Sequence, residues 1–276
     1  MKKYESIIGL GVAGNFAGHL EQANEAGDFK NIEVKEENQP KAIFPFYVPN
    51  SKTKEFLSQY PLSHDQIKMP EGDFNVQIEP EIALHCEIEY SDNKVSKIIP
   101  KSFAAYNDCS IRRPNAKKIS EKKNWGESSK GISQTLIPID SFSSGGIIEN
   151  YSITSFHLSD GELHQYGENS SAKSYSYFNE KLLDWVVDRM NNQEDIGPAE
   201  NISAFIQEAS MPNECLLSIG ATRYTDYGEA NFLKSGDSSI VVVYDHTKYS
   251  NNEIIEFIRK SELDKEGISS LVQRVV

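Results

Sequence analysis

The 276-residue sequence has few cysteines, no long apolar run and fewer basic than acidic residues. Its three cysteines, Cys86, Cys109 and Cys215, form no CxxC pair, which argues against a disulfide framework and against a zinc knuckle. No apolar run approaches about 18 residues, so the sequence predicts no membrane-spanning helix. The N-terminus has no apparent signal peptide. Together these absences predict a reduced, cytoplasmic protein.

The charge balance disfavours two classes of partner. Lysine and arginine number 28 against 41 aspartates and glutamates, which gives a formal net charge of −13. Nucleic acid and anionic membranes are both bound through basic surface, so the sequence predicts neither as a partner. The length allows one large domain, or a domain with a smaller segment, with a full core.

Two carboxylates, Glu79 and Glu81, stand two residues apart at the head of a long alternating run. Residues i and i+2 of a strand point to the same face, so these side chains converge on one spot. Two like charges held so close are unfavourable unless a cation or a shared proton relieves them. Asp108 could add a third carboxylate. A hard divalent cation with oxygen ligands is therefore the first functional hypothesis.

The same run contains an alternative to this pair. Glu87 and Glu89 have the same spacing and the same predicted face as Glu79 and Glu81. A polar strand face is usually solvated, and periodicity alone does not choose between the two pairs. The opposite face, occupied by apolar residues from position 82 onwards, predicts a half-buried strand.

The N-terminal region offers a different function, dinucleotide binding. Residues 9–14 read GxGxxG between a predicted strand and a predicted helix from Asn15 to about Ala26. A strand-like piece at 31–36 then supplies Glu33 or Glu36 at about the distance that a Rossmann fold requires. Prolines interrupt the region that follows, and no further βα units are apparent. An oxidoreductase remains an alternative function.

Further elements follow from periodicity and turn residues. The sequence predicts a short helix at 51–59, strands at 151–158 and 162–167 joined by a turn at 159–161, an amphipathic helix at Asn179–Met190, strands at 216–220 and 238–245, and a charged helical tail at 251–276. The basic stretch 117–131 is interpreted as a mobile, solvated loop for most of its lysines.

In this order the motifs resemble those of the fumarylacetoacetate hydrolase (FAH) superfamily, particularly its short acylpyruvate hydrolases and related hydratases. The resemblance covers about residues 7 to 245. The matching motifs are the lid motif Asn15–Leu20 with its histidine, the ExE pair Glu79 and Glu81, the aspartate–arginine segment Asp108–Arg112, the active-site lysine Lys130, the hairpin Asp160–Gln165 and the late turn Phe232–Asp237.

The resemblance implies an α+β, mainly β fold, an FAH-like mixed β-sandwich roll. Residues 1–75 would form an N-terminal lid region, residues 76–245 the catalytic core and residues 246–276 a C-terminal helical extension. It also implies a homodimer.

The resemblance further implies a metal-dependent hydrolase that cleaves a C–C bond in a small oxo-acid such as an acylpyruvate. Glu79, Glu81 and Asp108 would hold Mg²⁺ or Mn²⁺. His19 would act as general base with a pKa near the working pH, oriented by Glu21 or Gln22. The remaining expected site residues are the catalytic Lys130 and the substrate contacts Arg112, Gln165 and Thr222.

Several departures from the family pattern leave other functions open. The lid glutamate is replaced by Gln22, the family's Lys-Pro is absent after 43–47, and Gly220–Thr222 replaces a Gly-Thr-Pro turn. Arg113 stands where the family has an acid. The alternatives are a hydratase, isomerase or oxaloacetate-type decarboxylase on the same fold, and a non-catalytic small-molecule binder.

Overall fold

The computed structural model describes residues 3–23, 25–29, 34–36, 38–113 and 116–276. The strands are β1 (Ile8–Ala13), β2 (Ala42–Tyr47), β3 (Leu62–Ser63), β4 (Gln66–Ile67), β5 (Val76–Gln77), β6 (Pro80–Ser91), β7 (Lys94–Asn107), β8 (Ser110–Ile111), β9 (Lys130–Ile132), β10 (Ile137–Pro138), β11 (Tyr151–Ser159), β12 (Glu162–Ser171), β13 (Glu214–Ser218), β14 (Ser238–Asp245) and β15 (Ile268–Val275). The α-helices are α1 (His19–Gln22), α2 (Asn179–Asn192), α3 (Ile202–Glu208), α4 (Asp226–Ala230) and α5 (Asn251–Lys260). Short 3-10 turns lie at Ala26–Phe29, Glu55–Ser58, Ile119–Lys122, Ile147–Asn150 and Ala172–Ser174.

Two sheets organise the described residues. The larger has the order β2-β1-β13-β6-β7-β9-β3, with β10 also paired to β7, and the second has the order β12-β11-β14-β15-β4. Both mix parallel and antiparallel pairs: β1 runs parallel to β13, and β15 runs parallel to β4. This mainly β, α+β architecture confirms the predicted fold class.

The burial of β6 distinguishes the two glutamate pairs. Its apolar face is fully covered, with Ile82 and Leu84 both 0 % exposed. Glu79 and Glu81, at the head of the strand, are 3 % and 2 % exposed, whereas residues 87 and 89 are on the exposed surface. The first pair is therefore the buried one.

Two glycines of the GxGxxG motif, Gly9 and Gly11, lie inside β1, whereas Gly14 follows the strand at φ 74°. A Cβ on Gly9 would stand 2.2 Å from the ring of Phe46, and one on Gly11 would stand 2.3 Å from the ring of Phe44. Both rings belong to β2, the antiparallel neighbour of β1. These glycines make room for aromatic rings, and they do not form the phosphate-binding turn between a strand and a helix.

The remaining dinucleotide signals also fail. The helix predicted over 15–26 is wrong in extent: α1 has four residues, and a 3-10 turn follows at Ala26–Phe29. Of the strand predicted at 31–36, residues 31–33, including Glu33, lie outside the described residues, and residues 34–36 are not in a strand. The described residues therefore lack the βαβ context that the fingerprint requires.

The predicted basic loop is largely buried. Lys122, Lys123 and Lys130 are 8 %, 4 % and 0 % exposed, and they lie in or next to the 3-10 turn Ile119–Lys122 and β9. The solvated-loop prediction is wrong for these three lysines. A lysine is rarely buried unless its charge is paired, and each of these three lies within ion-pair distance of a carboxylate.

The C-terminal tail is helical only in its first part. Helix α5 covers Asn251–Lys260, but the chain then forms β15, which pairs with β14 and β4 inside the second sheet. Gln273 of β15 is fully buried. The prediction of a helical tail over 251–276 is therefore wrong for the last strand.

Other predicted elements are confirmed. The turn between β11 and β12 places Asp160 and Gly161 at φ 52° and 81°, the left-handed conformations that a tight hairpin favours. Helix α2 and strands β13 and β14 match the predicted segments within a few residues, and a 3-10 turn lies within the predicted helix at 51–59. Among the residues described, no helix is long and apolar enough to cross a membrane.

Candidate active site

The site begins where β6 and β7 come together. Glu79 immediately precedes β6 and Asp108 immediately follows β7, and these strands are antiparallel neighbours. The Asp108 amide donates to the Glu79 carbonyl at 2.9 Å. The Asn107 side-chain oxygen accepts from the amides of Glu79 and Cys109, at 3.1 and 3.0 Å. Strand pairing and one asparagine therefore fix both ends of the carboxylate cluster.

Glu79, Glu81 and Asp108 converge as predicted. One carboxylate oxygen from each lies within 4.8 Å of those of the other two, and all three residues are buried. Glu81 Oε2 accepts a hydrogen bond from the Gly220 amide at 3.0 Å, which ties the cluster to the loop after β13. We call these three carboxylates the acidic triad.

The protonation of the acidic triad is uneven. Burial, together with the charge of Asp108, raises the pKa of Glu81 well above its usual range. Burial also raises the pKa of Asp108. Burial acts in the same direction on Glu79, but the charges of Lys123 and Arg112 outweigh it and hold the pKa of Glu79 well below its usual range. Glu79 is therefore the most firmly ionised member, and Glu81 the one that most readily keeps a proton.

Lys123 lies within the acidic triad. Its ammonium is 2.5 Å from Glu79 Oε2 and 2.5 Å from Asp108 Oδ2, and it lies over the ring of Phe44 at 5.1 Å. Burial works against its charge, but the charge of Asp108 and its acidic neighbours raises the pKa of Lys123 above its usual value. The buried lysine is therefore a cation that bridges two of the three carboxylates.

Arg112 extends this network to Glu25, near the N-terminus. One guanidinium nitrogen is 2.9 Å from Glu79 Oε1, and another is 2.8 Å from Glu25 Oε1. Arg112 also donates to the hydroxyl of Tyr224 at 2.9 Å. Lys122 lies 3.2 Å from the same Glu25 oxygen. The guanidinium predicted to bind substrate thus holds two carboxylates of the protein.

Lys130 supports the turn that carries Asp108. Its ammonium donates to the backbone carbonyls of Asp108, at 2.7 Å, and of Cys109, and it lies 3.5 Å from Asp108 Oδ1. Burial lowers the pKa of Lys130. Burial likewise raises the pKa of the Cys109 thiol to about 12, which is consistent with a buried small residue and not with a nucleophile.

His19 lies at the start of α1 and is only 5 % exposed. Its ring packs against that of Tyr224 with centroids 5.1 Å apart, and its Nδ1 has no hydrogen-bond partner among the described residues. Burial lowers the pKa of His19 to about 4, although Glu79 acts in the opposite direction. The expectation of a pKa near neutral pH is therefore wrong. At neutral pH the imidazole is uncharged and has a free nitrogen.

Of the remaining predicted site residues, Thr222 lies beside the head of β6, where its amide donates to the Pro80 carbonyl at 3.2 Å. Glu21 is on the exposed side of α1, and Gln22 instead clamps the backbone of Tyr224, with its amide oxygen 2.9 Å and its amide nitrogen 3.0 Å from main-chain atoms. Thr222 is 1 % exposed and its hydroxyl has no hydrogen-bond partner among the described residues. Gln165 is half-buried on β12 and donates to Gly167 of its own strand at 3.2 Å.

The acidic triad fits a divalent cation. Its donors are all carboxylate oxygens, which Mg²⁺ and Mn²⁺ prefer. Glu79 Oε1 and Asp108 Oδ2 are buried and accept no hydrogen bond of good geometry from the described residues, although Arg112 and Lys123 lie within ion-pair distance of them. Two oxygens are thus buried with only an ion-pair contact, and a bound cation would complete their coordination.

Two residues of the cluster, Lys123 and Glu25, are not predicted from the sequence. Lys123 is one of several similar lysines in a basic stretch, and nothing local distinguishes it. Glu25 is six residues after His19, whereas the family pattern places the lid glutamate three residues after the histidine, at Gln22. The two residues are recognised only from their ion pairs with the site, and these contacts depend on the tertiary structure.

Solved structures of known enzymes share the fold of this chain. A 2-keto-3-deoxy-D-arabinonate dehydratase complexed with magnesium and 2,5-dioxopentanoate matches with a TM-score of 0.53 and 13% identity, over 97% of this chain and 72% of that chain. A 5-carboxymethyl-2-hydroxymuconate delta-isomerase from Mycobacterium smegmatis matches with a TM-score of 0.50 and 15% identity, over 98% of this chain and 78% of that chain. A protein of the fumarylacetoacetate hydrolase family from Yersinia pestis CO92 matches with a TM-score of 0.50 and 12% identity, over 98% and 94%.

At these identities the similarities establish the fold. The chain itself belongs to DUF5718, a family of unknown function, whose model matches residues 25–275. No curated protein matches the sequence. The FAH-like fold predicted from the motifs is therefore confirmed, while the resemblance to acylpyruvate hydrolases in particular stays a prediction.

Proposed function

We propose that this protein is a divalent-metal-dependent enzyme acting on a small oxo-acid. The observation that carries the proposal is the buried acidic triad of Glu79, Glu81 and Asp108 near a buried, uncharged histidine, on a fold shared with FAH-type enzymes. A non-catalytic binder would not need a buried imidazole with a free nitrogen beside a metal-type ligand set. The reaction to test first is hydrolytic C–C bond cleavage of an acylpyruvate.

Each residue has a role that follows from its contacts. Mg²⁺ or Mn²⁺ held by the acidic triad would supply Lewis acidity toward the substrate's oxygen atoms. His19 accepts a proton at its free Nδ1, from water in a hydrolysis or from carbon in an isomerisation. Lys130 holds the Asp108 turn in place, and Arg112 orients Glu79. Thr222, with its buried free hydroxyl, is the proposed hydrogen-bond donor to substrate.

A dehydration or isomerisation is the second candidate. The dehydratase and the isomerase that share the fold act, by their names, on small keto or hydroxy acids. The same acidic triad and the same base would serve such a reaction, with the proton returned to substrate carbon or to a leaving hydroxyl. The proposed enzyme is a homodimer in which Gln165 contacts the substrate and Glu21 acts with the base His19.

The metal and the chemistry are tested together with a matched pair of variants. Glu81→Gln removes one ligand, whereas Glu87→Gln changes an exposed glutamate on the same strand. Saturating Mn²⁺ at about one hundred times its Kd should stabilise the wild type by about 2.7 kcal/mol, measurable as a rise in Tm. We expect this rise in Glu87→Gln and its loss in Glu81→Gln.

Activity is measured on acylpyruvates, oxaloacetate and 2-keto-3-deoxy sugar acids with Mg²⁺ or Mn²⁺. His19→Gln should lower kcat by about a hundredfold or more, because it removes the base but leaves the triad intact. A wild type that neither binds Mn²⁺ nor turns over any of these substrates would overturn the proposal. Activity that survives in His19→Gln would reject His19 as the base.

A further inference from the structure

Lys123 occupies space between two of the carboxylates that would bind a metal ion. The Lys123 ammonium lies 2.5 Å from an oxygen of Glu79 and 2.5 Å from an oxygen of Asp108. A divalent cation bound by the acidic triad would need the same two carboxylates. The side chain is 5 % exposed, so its charge is taken from water and satisfied within the cluster.

The charges of the cluster are already balanced by the protein's own cations. Glu79 and Asp108 already have cationic partners: Lys123 contacts both, Arg112 lies beside Glu79, and Lys130 lies 3.5 Å from Asp108. A divalent cation added to this arrangement would leave buried positive charge without a partner. Uncompensated buried charge is strongly unfavourable, so one basic group must withdraw when the metal enters.

Of the three basic groups, Lys123 is the one placed to leave. Arg112 is held by Glu25, Gln77 and Tyr224 in addition to Glu79. Lys130 is anchored by two backbone carbonyls. The hydrogen bond and ion pairs described for Lys123 are with carboxylates of the triad. A lysine side chain is also a flexible stem with a compact charge, which can move without disturbing the backbone.

We infer that Lys123 is an internal competitor of the divalent cation, which occupies the space between Glu79 and Asp108 and sets the metal affinity of the site. The inference rests on the metal site of the proposed function. Metal entry displaces the ammonium from the triad, and Glu25, an acid that already pairs with Lys122 and Arg112, is the nearby carboxylate to which it can turn. The metal affinity is therefore lower than three carboxylates alone would give.

The test is the Mn²⁺ affinity of Lys123→Met, measured by titration calorimetry on the full-length protein. Methionine keeps the length of the side chain and removes the charge. We expect Lys123→Met to bind Mn²⁺ about tenfold or more tightly than the wild type. Lys122→Met is the matched control, because it removes a neighbouring buried charge whose described ion pair is with Glu25. Its affinity should stay within about threefold of the wild type.

A second measurement, the Tm in EDTA and in Mn²⁺, tests the inference even if Lys123→Met is too unstable for calorimetry. Without metal, Lys123→Met leaves the triad short of one positive charge, so its Tm should fall in EDTA and recover in Mn²⁺ by more than the wild type gains. Lys123→Arg, which keeps the charge, should show neither the tighter binding nor the larger recovery.

The outcomes separate this inference from the proposed function. Equal and measurable Mn²⁺ affinity in the wild type, Lys122→Met and Lys123→Met would overturn the competitor role and leave the metal site standing. Absence of Mn²⁺ binding and of Mn²⁺ rescue in all variants would overturn both. Tighter binding in Lys123→Met that is abolished by adding Asp108→Asn supports the inference and locates the cation at the triad.

Discussion

Burial determines the behaviour of His19 more than any single neighbour does. Its imidazole, on the short helix α1, is buried against the ring of Tyr224, and the loss of water disfavours the charged form. Glu79 favours the charged form, but Arg112 counteracts it. A base that stays unprotonated down to about pH 4 is available to accept a proton throughout the physiological range.

This burial predicts a specific pH dependence of stability. Between the unfolded-state value of 6.5 and the folded-state value of about 4, the unfolded chain binds a proton at His19 and the folded chain does not. The contribution of His19 to the free energy of unfolding is therefore unaffected above pH 6.5 and falls as the pH drops toward 4, by a total on the order of 3 kcal/mol. Urea unfolding at pH 7, 6 and 5 should show a shallower decline for His19→Gln than for the wild type.

His64→Gln is the control, since this histidine is exposed. It should follow the wild-type curve at all three pH values. Equal slopes for His19→Gln and wild type would contradict the buried, neutral imidazole.

At the residue scale, the sequence predicts the site residues that occur in short motifs. Glu79, Glu81 and Asp108 are marked by spacing and by motif order, and the structure brings them together. Lys123 and Glu25 carry no such mark, because their role depends on contacts between residues 44, 87 and 97 positions apart in the chain. A pairwise charge contact of that kind is a property of the fold.

At the scale of elements, β1 and β2 illustrate how one motif supports two structures. The glycines at positions 9 and 11 suit either a phosphate-binding turn or a strand packed under large side chains. Here the glycines belong to a strand, because the aromatic rings of Phe44 and Phe46 on β2 fill the space that a Cβ would need. Pro45 is tolerated in the middle of β2 because this strand is at the edge of its sheet.

Gly9→Ala should therefore destabilise the protein by overpacking. The added methyl group would stand 2.2 Å from the ring of Phe46, so the ring or the strand must shift. We expect a loss of about 1 to 3 kcal/mol in the free energy of unfolding, measured by urea denaturation. Gly27→Ala is the control, because nothing lies within 4 Å of a Cβ at that position. A loss below that of the control would contradict the packing explanation.

The elements that were predicted correctly have local causes. The β11–β12 hairpin follows from Asp160 and Gly161, whose left-handed conformations direct the chain back on itself. Helix α2 follows from its apolar periodicity. The region around α1 was predicted as one long helix because its composition is compatible with a helix, whereas Gly14 and Gly18 at positive φ break it before His19.

At the scale of the whole molecule, the last strand connects the two sheets behind the site. Gln273 of β15 is fully buried, and its amide oxygen accepts from Asn107 at 3.3 Å while its amide nitrogen donates to Gln66 at 3.0 Å. Asn107 in turn fixes the ends of the Glu79 and Asp108 segments. The C-terminal segment therefore supports the candidate site.

Gln273→Ala should weaken this connection. Asn107 would lose an acceptor in a buried environment, and we expect a loss of about 1 to 3 kcal/mol in the free energy of unfolding. The neighbouring Arg274→Ala, at an exposed position of the same strand, should change it by less than about 0.5 kcal/mol. Guanidinium unfolding followed by tryptophan fluorescence and by circular dichroism measures both. Equal stability of the two variants would contradict the role given to Gln273.

The sequence by itself marked Glu79, Glu81 and Asp108 as candidate metal ligands, and it determined the β11–β12 hairpin and, through the order of its motifs, the mainly β fold class. These features depend on residue spacing along one strand, on turn residues, or on motifs in a fixed order, all of which are local properties of the chain. Tertiary structure alone decided that Glu79 and Glu81, and not Glu87 and Glu89, are buried. It also decided that the tail ends as a strand and that Lys123 lies within the triad. The physical reason is that burial and ion pairing depend on which distant segments meet, and a single sequence does not contain those contacts.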